Sequence, residues 1–200
     1  MKKIILLFVF LPFFSLAQEY TEVVEMPGKT AGQLYSIARE WFAKSFISEN
    51  NPLLMDDLIS GKIIAKGSIH ISESYVAGYG NVPVTVDWYP NFTIKVSFKD
   101  GRYKNEIIDI SITTNVHEGN SGTITPFKEF LDKKEIYKNM GDPEWIINNP
   151  AGGVKVGKAA ANTVAKPNHA IYNLICKTES EMNDLLSKLR EAMKNPEVEW

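Results

Sequence analysis

Gly152, Gly157 and Lys158 have the spacing of a phosphate-binding loop. Such a loop cradles phosphates on backbone N–H groups, adds a lysine, and needs a Ser/Thr hydroxyl for Mg²⁺. Here that last position is Ala159, and no apolar strand leads in. The run therefore reads as a flexible Gly/Lys/Ala loop. The histidines are His70, His117 and His169, and none pairs with another at i+3 or i+4. With no Cys-x-x-Cys either, the sequence holds no metal-ligand spacing. Nor is there a Gly-x-Ser-x-Gly elbow for a serine hydrolase. A histidine meeting a carboxylate and a hydroxyl across the fold stays open as the enzymatic route. Cys176 lies among Ile171, Leu174 and Ile175 and lacks the basic neighbourhood that activates a thiol, so it reads as a small buried hydrophobe.

Two further sets could bind rather than react. Lys95, Lys99, Arg102 and Lys104 lie beside Phe98 and Tyr103 at a hairpin tip. Basic charge between aromatics can hold single-stranded nucleic acid, but lysines also protect a sheet edge. In an acidic chain the edge reading is favoured. Tyr75, Tyr79, Trp88 and Tyr89 flank a Gly/Pro-rich stretch. They could form the rim of a ligand pocket, or simply anchor a loop.

These residues must be positioned by a chain whose N-terminus has its own signature. Lys2 and Lys3 precede the apolar run Ile4 to Phe14, and Ser15 and Ala17 are small residues at the −3 and −1 positions. That is the three-part pattern of a secretory leader, and the run is too short to span a bilayer. Residues 1–17 are expected to be a cleaved signal peptide, cut between Ala17 and Gln18. The protein is then exported, periplasmic or extracellular. The sequence has 22 Lys+Arg against 24 Asp+Glu, and losing Lys2 and Lys3 deepens the mild acidity. Nothing global draws it to nucleic acid, and no later stretch reaches transmembrane length. A single cysteine excludes a disulfide framework.

Residues 18–200 are of single-domain length. Tyr20 to Met26 reads as a strand ended by Pro27 and Gly28. Thr30 suits a helix N-cap, and Leu34, Ile37, Ala38, Trp41, Phe42 and Phe46 give a helical stripe over 31–47. Leu53 to Met55 suggests a short strand. Ile63 to Ser72 alternates as a half-buried one, with Gly67 marking a bend or bulge. Residues 73–85 read as loop. Phe92 to Phe98 and Tyr103 to Thr114 form a hairpin through Asp100-Gly101. Residues 115–170 carry the weakest pattern: a short helix over 126–139, otherwise loop. Met182, Leu185, Leu186, Leu189 and Met193 define a last helix over 180–194, extensible back to 171 and ended by Pro196. Two striped helices against one antiparallel sheet make a two-layer α+β fold.

The segments Tyr20 to Gly28, Leu34 to Phe42, Ser60 to Gly67 and the Phe92 to Ile112 hairpin resemble an exported Bacteroidota family of unknown function with a TATA-binding-protein-like fold. The resemblance covers 20–114 well and the last helix loosely, and leaves 115–170 unmatched. It implies a β-α-β-β-β-β-α order, with a curved antiparallel sheet packed on two helices. It supplies no activity, and a fold name does not supply one. The reading of the whole is an exported cell-envelope protein, a non-catalytic binding module for a small apolar ligand or an envelope partner. It needs no cofactor or metal and takes no nucleic acid. The alternative is an envelope hydrolase using the 115–170 segment.

Overall fold

The computed structural model describes residues 20–46, 53–77, 82–117 and 120–196. The expected leader, its Ala17/Gln18 junction and Tyr79 lie outside them. Period-two alternation lays down seven strands: β1 (Tyr20–Glu25), β2 (Leu53–Asp57), β3 (Lys62–Ser68), β4 (Ile71–Ala77), β5 (Val82–Lys99), β6 (Arg102–His117) and β7 (Asn120–Pro126). All pair antiparallel in one sheet. Its spine is the long β5–β6 hairpin, turned at Asp100 and Gly101, where Gly101 takes the positive φ the turn needs. β3 and β4 pair in turn with the two ends of β5; β1 and β7 do the same on β6. The sheet thus has a lower half (β2, β3, β1 and the turn end of the hairpin) and an upper half (β4, β7 and its open end).

Helix α1 (Ala31–Ser45) starts at a capping box: Thr30 Oγ1 accepts from Gln33 N, and the Gln33 side chain accepts from Thr30 N. It buries Leu34, Tyr35, Ala38 and Phe42 on the lower half. Helices α2 (Phe127–Asp132), α3 (Lys134–Met140) and α4 (Pro143–Asn148), with a 3-10 turn at Ala151–Gly153, lead into α5 (Lys158–Lys194). At 37 residues, α5 runs about 55 Å, long enough to cross both halves. Its Met182, Leu186, Leu189 and Met193 join the α1 core over the lower half. Leu174 and Ile175 join Ile71, Trp88, Ile112 and Phe127 over the upper half. Ala161 and Ala165 let α5 approach Ile146 of α4 closely.

The two-layer α+β arrangement is as expected, and α1 and α5 are the two helices that cover the sheet. Three boundaries differ. Residues 73–85 are largely strand rather than loop, because alternation continues through polar, Gly-flanked sequence. The 115–170 segment is mostly regular: the end of β6, β7, three short helices and the start of α5. The last helix begins at Lys158, not 171 or 180. Pro167 lies inside it, and helical packing against β4, α3 and α4 outweighs the N–H that proline lacks.

Candidate functional site

Among the described residues, helices cover one face of the sheet only. The other face is open, and the hairpin spine bends across it. Between Asn91 and Thr93 the β5–β6 register shifts, so that Asn91 faces Ser111 while Thr93 faces Ile108. Asp109 sits in the extra length at φ 55°, the one non-glycine positive φ among the described residues. Asn91 pins the bend, its Nδ2 donating to Tyr89 O and to Thr113 Oγ1, each at 2.9 Å. Gly67 permits it from β3. A Cβ there would stand 2.5 Å from the Phe92 ring and 3.0 Å from Phe46.

A cavity of about 790 Å³ occupies this bend. By strand alternation Lys66, Ser68, Asn91, Thr93, Ser111 and Thr113 bring hydroxyl, amide and ammonium groups from the open face. Phe46, Ile69, Phe92 and Leu185 contribute apolar wall from the helix side. Such a lining suits an amphipathic small molecule, held by directional hydrogen bonds over an apolar floor. The sequence signals of this site were Gly67 and the Asn91 polar interruption of an apolar strand. The register shift itself is a pairing property.

Of the four proposed rim aromatics, the three that are described do not converge. Trp88 is a correction: it is 2% exposed, its ring 4.5 Å from that of Phe130 in the upper core. Tyr89, one residue on, points to the opposite face and stacks on His70 with ring centroids 4.8 Å apart. Tyr75 lines a smaller cavity of about 260 Å³ between β4 and α5, with Glu73, Lys166 and His169. Tyr79 lies outside the described residues. Adjacent strand positions face opposite ways, which sends Trp88 into the upper core and Tyr89 to the open face.

The enzymatic constellation does not assemble among the described residues. His70 Nε2 lies 2.8 Å from Asp87 Oδ1 on the exposed face. The nearby Ser74 and Thr85 hydroxyls bond to each other at 2.9 Å. His169 shares its cavity with Glu73, but that carboxylate is engaged by Lys177 and Asn173 from α5. These bonds, led by Lys177, hold the Glu73 carboxyl below its usual range. His117 ends β6 in backbone register with Asn120. Cys176 is half-buried on α5. Gly152 lies in the 3-10 turn and Gly157 caps α5, with helix α4 rather than a strand before them. No three potential metal ligands come together among the described residues, and no described helix is long and apolar enough to cross a membrane.

The basic hairpin set lies on the open face. Lys95 and Lys104 flank Glu106 at 3.1 and 2.6 Å. Burial raises the Glu106 carboxyl, but the two lysines outweigh it, and it titrates below its usual range.

Residues 20–113 match the family described as a domain of unknown function (DUF4468) with TBP-like fold. That stretch belongs to this family. A crystal structure of a DUF4468 family protein from Bacteroides ovatus aligns with TM-score 0.51 at 15% identity, covering 91% of this chain and 89% of that one. A TBP-like protein from Parabacteroides distasonis aligns with TM-score 0.46 at 11% identity, over 90% and 94%. No curated protein matches the sequence. The family match runs from β1 into β6 and so contains both arms of the bend. It stops before β7 and α2–α5. The first of the two structural likenesses extends the shared fold over most of the chain without bearing on activity.

Proposed function

We propose that this protein is an exported, non-catalytic binding module of the cell envelope, and that the bend cavity is its ligand site. The observation that carries the reading is the cavity of about 790 Å³ at the bend, with apolar wall from Phe46, Phe92 and Leu185 and hydroxyl and amide side chains converging on it. Its mixed lining favours an amphipathic ligand over the wholly apolar one anticipated from sequence. The leader grammar of residues 1–17 supports export. The engaged carboxylate beside His169 and the exposed His70–Asp87 pair give the hydrolase alternative no assembled site.

The test is native mass spectrometry of the protein recovered gently from its own envelope, beside Ser68→Trp and Ser111→Trp variants that fill the cavity. A reproducible added mass that both variants lose is the expected result. A bare wild-type monomer, or an adduct indifferent to both tryptophans, overturns it. N-terminal sequencing of the same material should begin at Gln18. A start at Met1 removes the export part of the proposal.

A further inference from the structure

Three turns meet at the end of the lower half, away from the bend. Met26 N donates to Gly101 O at 2.7 Å and Gly101 N to Lys29 O at 2.8 Å, which ties the β1–α1 turn to the hairpin tip. Ala31 N donates to Asp100 Oδ1 at 2.8 Å. Phe98 N donates to Gly61 O at 2.9 Å, which brings the β2–β3 turn alongside. At the apex of that third turn stand Leu58 and Ile59, 59% and 100% exposed. Tight turns ordinarily carry Gly, Asn, Asp or Ser, so a fully exposed isoleucine at an apex runs against local chemistry.

The apex is also built rigidly. Asp57 Oδ1 accepts from Ile59 N at 2.8 Å and from Ser60 N at 3.2 Å, folding the turn around its own side chain. Gly61 has φ +60°, and a Cβ there would meet Phe98 O at 3.1 Å, so the turn seats tightly on β5. Around it lie Lys29, Lys62, Lys99 and Arg102, with Lys95 and Lys104 behind them on the open face. The carboxylates of this region are Glu25, Asp56, Asp57, Asp100 and Glu106. Asp57 and Asp100 accept backbone N–H groups, and Glu106 sits between two lysines. With Arg39, which pairs with Asp56, cations outnumber carboxylates seven to five here, in a chain whose net charge is −2.

We propose that this turn end docks the protein on an anionic lipid bilayer surface. Leu58 and Ile59 enter the boundary between headgroups and acyl chains, and the lysines and arginine engage lipid phosphates. Two apolar side chains or a modest basic patch hold a protein weakly on their own, whereas the combination binds stably. A rigid apex loses little freedom on insertion. The bend cavity lies about eight residues along β5, or roughly 25 Å from the tip, and so would stand clear of the membrane. The inference is independent of what that cavity binds.

The experiment is co-sedimentation of the chain from Gln18 onward with vesicles of phosphatidylcholine, with and without phosphatidylglycerol. Binding is expected only with phosphatidylglycerol, and it should fall steeply with added salt. Leu58→Ser with Ile59→Ser should weaken partition roughly tenfold or more. Lys62→Gln with Lys99→Gln and Arg102→Gln should weaken it comparably. Val154→Ser, an exposed apolar position in the 3-10 turn region, should leave it unchanged. In an Ile59→Trp variant, tryptophan emission should shift to the blue on vesicle addition. No partition onto anionic vesicles, partition indifferent to the Leu58/Ile59 change, or equal binding to neutral vesicles overturns the proposal.

Discussion

The two halves of the sheet share β5, β6 and α5 but are closed in different ways. The lower half is sealed by α1 and the C-terminal part of α5, over a continuous core from Leu34 to Met193. The upper half has a much smaller core, around Trp88 and Phe127, covered by the middle of α5 and by α2 and α3. It also carries polar clips. Glu73 of β4 receives bonds from Lys177 and Asn173, and Lys134 of α3 pairs with Glu179. The lower half has such pairs too, Arg190 with Glu22 and Arg39 with Asp56, so what sets the halves apart is the apolar core behind them. The bend cavity lies at the seam between them, where the β5–β6 register shifts.

Core truncation is the strongest way to break this comparison. Phe42→Ala below and Trp88→Ala above should each cost about 3–5 kcal/mol. Native-state hydrogen exchange should separate them: Trp88→Ala opens β4 and β7 while β1 and β3 stay protected, whereas Phe42→Ala exposes the whole sheet. Identical exchange patterns would mean that the sheet opens as one unit. Next in size is Gly67→Ala, which forces a methyl against Phe92 and Phe46. It should cost about 1–3 kcal/mol by chemical denaturation, and it also probes the seam. Thr30→Ala removes the α1 cap and should cost about 1 kcal/mol, with the loss confined to the lower half.

Acid sharpens the comparison further. Glu73 titrates below its unfolded value, so its contribution is present above the usual glutamate range and is lost as pH falls through the folded value. Protonation releases the clip between β4 and α5. Exchange followed from neutral pH down through about pH 4 should show β4 losing protection before β3, and Lys177→Met should abolish that order. The smallest expected effect is that of Ile59→Ser, within about 0.5 kcal/mol in denaturant. A large loss there would make the apex part of the core rather than a displayed surface.

Much of the lower half was legible in the residues. Thr30, Leu34, Ala38 and Phe42 announce a capped helix by their spacing, and Ile63 to Gly67 alternates because one face is buried. The upper half was less so. Ser72 to Tyr75 and Val82 to Asp87 are strands of modest hydrophobicity, recognisable chiefly through their pairing with each other. Lys158 to Pro167 is helical because Ala161 and Ala165 let it dock on α4, although its glycine flank and its proline point the other way. The aromatic rim failed for a simple reason. Trp88 and Tyr89 are neighbours on a strand, and the pleat sends one into the core and the other to the open face.

The sequence by itself determined the α+β class, the α1 cap, the Asp100-Gly101 hairpin and the apolar stripe of the C-terminal helix. Each depends on residues within a few positions of one another, where helix and strand periods act directly. Only the tertiary structure decided that β5 and β6 slip register at Asn91, that Gly67 admits two phenyl rings, and that three turns gather around Ile59. Those features depend on which distant segments pair and on the space left between them, and no local period encodes either.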